Sequence, residues 1–228
     1  MELLLFFWDL LVHLDKHLAS LLQQHGPWVY LILFLIVYCE TGLVVTPFLP
    51  GDSLLFIAGA LTAGVTGAAG SGAKPGELDL AMLNVLLIAA AILGNTTNYW
   101  IGRYFGPRVF AWENSRFFNK AAFQKAHGFY ERHGGKTIVI TRFLPILRTF
   151  APFVAGVAAM THSRFQFYNI TGGVFWVASL TIAGYWFGNI QWVKSNLTLI
   201  ILALIIVPGL PALFAAIQAW REQRRTRR

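Results

Sequence analysis

Charge is what this sequence has least of: only 12% of its 228 residues are Asp, Glu, Lys or Arg, about half the roughly 25% expected of a soluble domain. That shortage excludes an ordinary water-facing surface. The single cysteine, Cys39, excludes an intrachain disulfide, and no Cys/His spacing matches a zinc site. Residues 1–14 carry Glu2 and Asp9, with no basic leader and no evident cleavage site, so a signal peptide is not expected and the segment should be retained. Catalytic signatures are missing as well. There is no H-E-x-x-H and no G-x-S-x-G, and although Gly135-Lys136-Thr137 resembles the end of a phosphate-binding loop, Tyr130 stands where that loop needs its earlier glycine. His13 and His17, one helical turn apart, and His127 and His133 lack further ligands and read as interfacial polar residues. No metal and no cofactor is expected.

What is present is hydrocarbon-like. Hydrophobic residues make up 56% of the chain and the mean hydropathy is +0.57. Apolar runs at 28–46, 80–101, 165–187 and 197–219 each approach the roughly 20 residues that cross a bilayer as a helix. Strand-like alternation is absent, which argues against a β-barrel. The chain therefore reads as a single all-α polytopic membrane domain over 1–228. Residues 1–26 should form an amphipathic helix at the interface, because Asp9, Asp15, Lys16 and Gln23 are set among leucines at helical spacing.

The net charge of +8 could suggest nucleic acid, but the excess is local: residues 103–136 hold seven Lys/Arg and residues 221–228 hold five Arg. Clusters flanking apolar spans are topology signals, so the linker 107–135 and the tail 220–228 are expected in the cytoplasm and no nucleic-acid partner is expected. The Gly-rich stretch 62–79, whose one basic residue is Lys74, then lies outside. On this topology 80–101 runs inward, 165–187 outward and 197–219 inward, leaving the C-terminus cytoplasmic.

Two stretches remain, at about 39–64, broken by Pro47, Pro50 and Gly51, and at about 136–160, broken by Pro145 and Pro152. Each must begin and end on one face, which predicts re-entrant hairpins that need protein or water around their open backbone. A faint internal repeat supports the pairing. Ala58-Gly59 aligns with Ala155-Gly156, and the Gly102 to Gly106 segment with Gly184 to Gly188, at offsets of 97 and 82 residues that an insertion near 62–76 reconciles. The expected architecture is an inverted repeat of 27–106 and 136–188, each a re-entrant hairpin followed by a transmembrane helix, plus a C-terminal transmembrane helix at 197–219. Whether 28–46 crosses alone or forms a long first arm is left open by charge, since Lys16 is the only Lys or Arg before residue 74.

Four charged residues fall inside these broken segments: Glu40 and Asp52 in the first, Arg142 and Arg148 in the second. An ionised group at bilayer depth costs from about 2.5 to more than 10 kcal/mol, so it needs a partner, a cavity or a substrate. The acids are candidates for proton coupling or gating, because a carboxylate in a poorly hydrated pocket holds its proton more tightly. The arginines are candidates for a phosphate clamp, since guanidinium stays charged and donates bidentately. Plainer readings stand beside these. Asp52 follows Pro50-Gly51 at a helix N-cap position, Glu40 could lie at the interface, and the two arginines could simply neutralise the two acids. Gly94, Gly102, Gly106 and Asn98 fit close helix packing, with Tyr99 and Arg103 as interfacial anchors.

Through CETGLVVTPFLPGDSLLFIAGAL (39–61), GNTTNYWIGRYFG (94–106) and FYERHGGKTIVITRFLPILRTFAPFVAGVAAM (129–160), the chain resembles the bacterial DedA family over nearly its whole length. The resemblance implies a multi-pass inner-membrane lipid transporter with undecaprenyl phosphate as leading substrate, driven by the proton motive force. Family functional positions fall on Glu40, Asp52, Arg142 and Arg148; Asn95, Tyr99, Arg103, Thr46 and Ser53 are candidates for supporting roles. Asn95 replaces an acid usual in the family, which leaves that position packing or hydrogen bonding rather than proton transfer. The expected partners are a polyprenyl phosphate or phospholipid and the membrane itself, with a homodimer allowed by the Gly-rich faces. No catalysis is expected. The rivals are a passive phospholipid scramblase, a lipid-phosphate-processing enzyme and a purely structural ion-pair network.

Overall fold

The computed structural model describes residues 27–43, 51–63, 78–111, 135–188 and 190–196, with side chains to 105 in the third stretch, and a few positions between 199 and 207. The expected amphipathic helix 1–26, Thr46, the linker 112–134 and the basic tail lie outside the described residues. So does most of 197–219. Among the described residues every regular element is a helix.

Helix α1 (Trp28–Gly42) begins after Pro27 and ends where Leu43 turns extended, its N–H donating to the Cys39 carbonyl at 2.9 Å. Its 15 residues reach about 22 Å, short of the roughly 30 Å of a hydrocarbon core. Val29, Leu33, Val37, Glu40 and Thr41 are buried along one stripe, the spacing of a single helix face. Helix α2 (Gly51–Thr62) is buried on every side. At about 18 Å it too is shorter than a span.

Helix α3 (Leu80–Ala111) starts on a cap in which Asp79 Oδ1 accepts the Met82 N–H at 2.6 Å. The Asp79 N–H donates to Tyr30 Oη at 2.7 Å, tying this start to the first turn of α1. Helix α4 (Lys136–Thr141) stops before Leu144, held extended by the following Pro145, which opens α5 (Pro145–Val157) at its first position. Pro145 therefore sets the break in 136–160 by its sterics, whereas Pro152, expected to break the segment too, lies inside α5 without ending it. The C-terminus of α5 carries a left-handed residue, Ala159 at φ 55°. The Ala159 N–H donates to the Gly156 carbonyl and the Met160 N–H to the Ala155 carbonyl, both at 3.0 Å, the bond pair of a Schellman cap. Helix α6 (His162–Gly188) follows, then the short α7 (Gln191–Ser195).

Two helices are long and apolar enough to cross a membrane, Leu80–Phe105 and His162–Gly188, and they cover the expected spans at 80–101 and 165–187. They run antiparallel: Asn84 bonds Thr181, while Thr96 bonds Gln166. Exposed aromatics mark both ends, with Trp100, Tyr104 and Phe105 late in α3 and Trp186, Phe187 and Trp192 at and after the end of α6. Such rows suit the two interfaces of a bilayer.

The remaining helices pack around this pair, α1 and α5 on α3, and α2 and α4 on α6. Glycine sets the crossings. A Cβ on Gly59 would overlap the Thr181 carbonyl and one on Gly184 the Phe56 carbonyl; likewise, a Cβ on Gly156 would overlap the Tyr99 carbonyl and one on Gly102 the Phe153 carbonyl. The glycine pairs of the faint repeat thus make the same two contacts, one between α2 and α6 and one between α5 and α3. The matched residues also fix directions. Residues 30 and 42 of α1 meet 79 and 94, at the start and within α3, and 149 and 153 of α5 meet 98 and 102, so α1 and α5 run parallel to α3. Residues 52 and 59 of α2 meet 176 and 181, and 135 and 139, at the start of and within α4, meet 168 and 172, so α2 and α4 run parallel to α6. It follows that α1 opposes α2, α4 opposes α5, and the beginnings of α2 and α5 converge between the two long helices.

Candidate functional site

Arg148 lies in the first turns of α5, where that convergence brings it to both acids. Its Nη1 donates to Asp52 Oδ1 at 2.8 Å and its Nη2 to Glu40 Oε1. All three residues are removed from solvent, Glu40 at 0%, Arg148 at 5% and Asp52 at 9% exposure. Glu40 is therefore interior, and the interfacial reading fails because α1 ends against the core. Its Oε1 also accepts the Gly51 N–H at 3.2 Å, placing an anion at the positive end of α2. A Cβ on Gly51 would overlap the Glu40 carboxylate, so a larger residue there would have to displace it.

Asp52 is more than a cap. Its Oδ1 accepts a second bond from Trp176 Nε1 at 2.8 Å, so α6 as well as α5 holds it. Taking charges from water costs several kcal/mol per ion, offset here by attraction and by these extra bonds.

Arg142 departs from the expectation that both arginines neutralise the acids. It is 2% exposed, yet among the described residues no carboxylate pairs with it. Its Nη2 instead donates to Asn169 Oδ1 at 2.5 Å and to the Asn169 carbonyl at 3.1 Å. Gly172 and Gly173 make room for the side chain: their added Cβ atoms would come within 3.2 Å of Arg142 Cδ and 3.4 Å of its Nη2. The two guanidiniums share one aromatic platform, with Arg148 Cζ 5.3 Å and Arg142 Cζ 6.0 Å from the Trp176 ring centre.

Among the described residues, Glu40 Oε2, Arg142 Nε, Arg148 Nε and Asn98 Oδ1 are buried with no hydrogen-bond partner.

The supporting candidates fall in two places. Ser53 and Asn95 are buried near the centre of the bundle, on α2 and α3. Tyr99 is fully buried rather than an interfacial anchor, its Oη donating to the Met160 carbonyl at 2.5 Å at the far end of α5. Arg103 is exposed beside it, Nη1 donating to Tyr99 Oη at 3.2 Å. These two brace the end of α5 and stand apart from the four charges. Among the described residues no cluster of His, Cys, Asp or Glu could hold a metal.

Sequence reasoning passed over Trp176 and Asn169, and it assigned Asn98 to packing alone. Asn98 Nδ2 donates to the Thr41 carbonyl at 3.2 Å and the Thr149 carbonyl at 2.8 Å, joining the end of α1 to the start of α5. A signal for the others was present. Asn169, Gly172, Gly173 and Trp176 recur at helical spacing on one face of α6.

Fold and site together define a helical membrane protein with a buried ionic centre between two long spans. The VTT domain family matches residues 49–186, and the chain belongs to this family, the DedA family. It is 50% identical over 218 residues to Protein DedA of Escherichia coli strain K12, covering 96% of this chain and 95% of that one. An uncharacterised membrane protein of Mycobacterium leprae is 42% identical over 84% of this chain and 81% of its own. Inner membrane protein YghB of Escherichia coli strain K12 is 34% identical over 85% and 80%. No solved structure matches.

Proposed function

We propose that this protein is a bacterial inner-membrane flippase that translocates undecaprenyl phosphate for reuse as a lipid carrier, coupled to the proton motive force, with its C-terminus in the cytoplasm. The observation that carries the reading is the buried centre itself. Arg148 joins two acids from the first broken segment, while Arg142 keeps a cationic group free of any carboxylate among the described residues. A phosphate headgroup matches that imbalance. It can take the unspent guanidinium donors, and its negative charge competes with Glu40 and Asp52 for Arg148.

The architecture proposed with it is an inverted repeat of two re-entrant hairpins, α1 with α2 and α4 with α5. The opposed arm directions and the matched glycine crossings support it. The end of α1 meets the starts of α2 and α5 at the ion pairs, which supports helix starts pointing at one site, as in transporters that alternate access around a midplane site. Phosphate entering from one face would loosen the Arg148 pairs, and protonation of Glu40, and of Asp52, would let Arg148 go. The headgroup then crosses while the tail stays in lipid, and no covalent step is involved.

Reconstituted liposomes test this. Translocation of undecaprenyl phosphate and of phosphatidylethanolamine is measured with and without a proton gradient, for wild type, Glu40→Gln and Arg148→Ala. The reading predicts gradient-dependent movement of undecaprenyl phosphate that both variants lose while remaining folded. Equal gradient-free movement of both lipids would indicate a scramblase, release of inorganic phosphate an enzyme, and undiminished transport by the folded variants a network that only holds the hairpins together.

A further inference from the structure

Among the described residues Arg142 is buried with neutral partners only, and its hydrogen bonds follow from how Asn169 is held. The Asn169 amide nitrogen faces three acceptors, the Ile92 carbonyl at 3.1 Å, Thr96 Oγ1 at 3.2 Å and Gln166 Oε1 at 3.1 Å. Gln166 is itself fixed by donating from Nε2 to Thr96 Oγ1 at 2.9 Å. An amide with its NH₂ so engaged cannot reverse without losing those bonds. These bonds turn Asn169 Oδ1 toward Arg142 Nη2, 2.5 Å away. That contact positions the guanidinium and, among the described residues, leaves its positive charge without a carboxylate and its Nε buried without a partner.

We propose that Asn169, locked by Thr96 and Gln166, is a positioning residue that keeps Arg142 as the un-neutralised receptor for a phosphate monoester headgroup, while Arg148 serves as the switchable counter-ion of the acids. The proposal rests on the phosphate-binding reading and divides its labour between the two arginines. An acid at position 169 would form an ion pair with Arg142 and compete directly with the ligand. The neutral amide aims the fork without competing.

The test uses the full chain in nanodiscs, with undecaprenyl phosphate, inorganic phosphate and undecaprenol as probes. Asn169→Asp should raise the Kd about tenfold or more for whichever phosphate binds wild type, that is by about 1.4 kcal/mol or more. Undecaprenol binding should be unchanged, which a merely structural lesion would not spare. Because a carboxylate facing the Ile92 carbonyl could impair folding, Thr96→Val combined with Gln166→Met provides a second route. It removes two of the three acceptors that hold the amide, leaving the Ile92 carbonyl, without adding charge, and should weaken phosphate binding several-fold while undecaprenol binding holds. Wild-type phosphate affinity in the folded variants overturns the positioning role alone. If wild type binds neither phosphate, the phosphate-binding reading falls, and the inference falls with it.

Discussion

Replacing Arg148 by methionine removes the one cation that both acids share while keeping most of its volume. Glu40 and Asp52 would be left facing each other at 0% and 9% exposure, with the Gly51 N–H and the Trp176 indole N–H still donating to them. Breaking a buried ion pair from one side costs about 3–5 kcal/mol, because the remaining charge is stranded. Two carboxylates are stranded here, so the upper part of that range is expected, roughly a thousandfold in the folded-to-unfolded ratio. Pairing the change with Glu40→Gln and Asp52→Asn should restore most of the loss. The amide oxygens can still accept the Gly51 and Trp176 N–H groups, and no charge remains to be solvated. The assay is denaturant unfolding in detergent micelles of wild type, Arg148→Met and the triple variant, with transport measured on each. Transport should be absent from both variants. A single variant within about 1 kcal/mol of wild type, or a triple variant no more stable than the single, would refute the buried-pair account.

Three further perturbations probe the frame around the site. Gly59→Ala and Gly156→Ala each push a methyl against the backbone of the crossing helix and should cost about 1–3 kcal/mol by overpacking, similar values being expected because the two crossings are alike. Ala159→Gly relieves a left-handed backbone at φ 55° and should raise stability by up to about 1 kcal/mol, read as a higher unfolding midpoint. Tyr99→Phe removes the donor to the Met160 carbonyl and should cost about 1–2 kcal/mol; because Tyr99 lies away from the four charges, residual folded protein should still bind undecaprenyl phosphate.

Much of this was legible in the sequence because it depends on local sterics or on transfer from water. The long apolar runs mark α3 and α6, Pro145 marks the break after α4, and charges in apolar surroundings mark the site. The repeat was legible through glycine, since Gly59, Gly102, Gly156 and Gly184 meet a neighbouring backbone and leave no room for a Cβ. Partnership was not legible, because it depends on how helices register against one another. Asp52 reads as a cap from Pro50-Gly51, and only the approach of α5 and α6 shows Arg148 and Trp176 bound to it. Arg142 reads as one arm of a phosphate clamp or, more plainly, as a counter-ion of the acids, and only the packing of α4 along α6 shows it bonded to Asn169. Tyr99 reads as an interfacial residue near a helix end, while the Schellman cap of α5 turns the Met160 carbonyl onto it.

The most direct test of a phosphate-binding ionic centre is an experimental structure of the protein in lipid with undecaprenyl phosphate bound. The account predicts phosphate oxygens within hydrogen-bonding distance of Arg142, with the contacts from Arg148 to Glu40 and Asp52 lengthened or broken. A headgroup held elsewhere, with Arg148 still bonded to both acids and Arg142 still bonded only to Asn169, would contradict it.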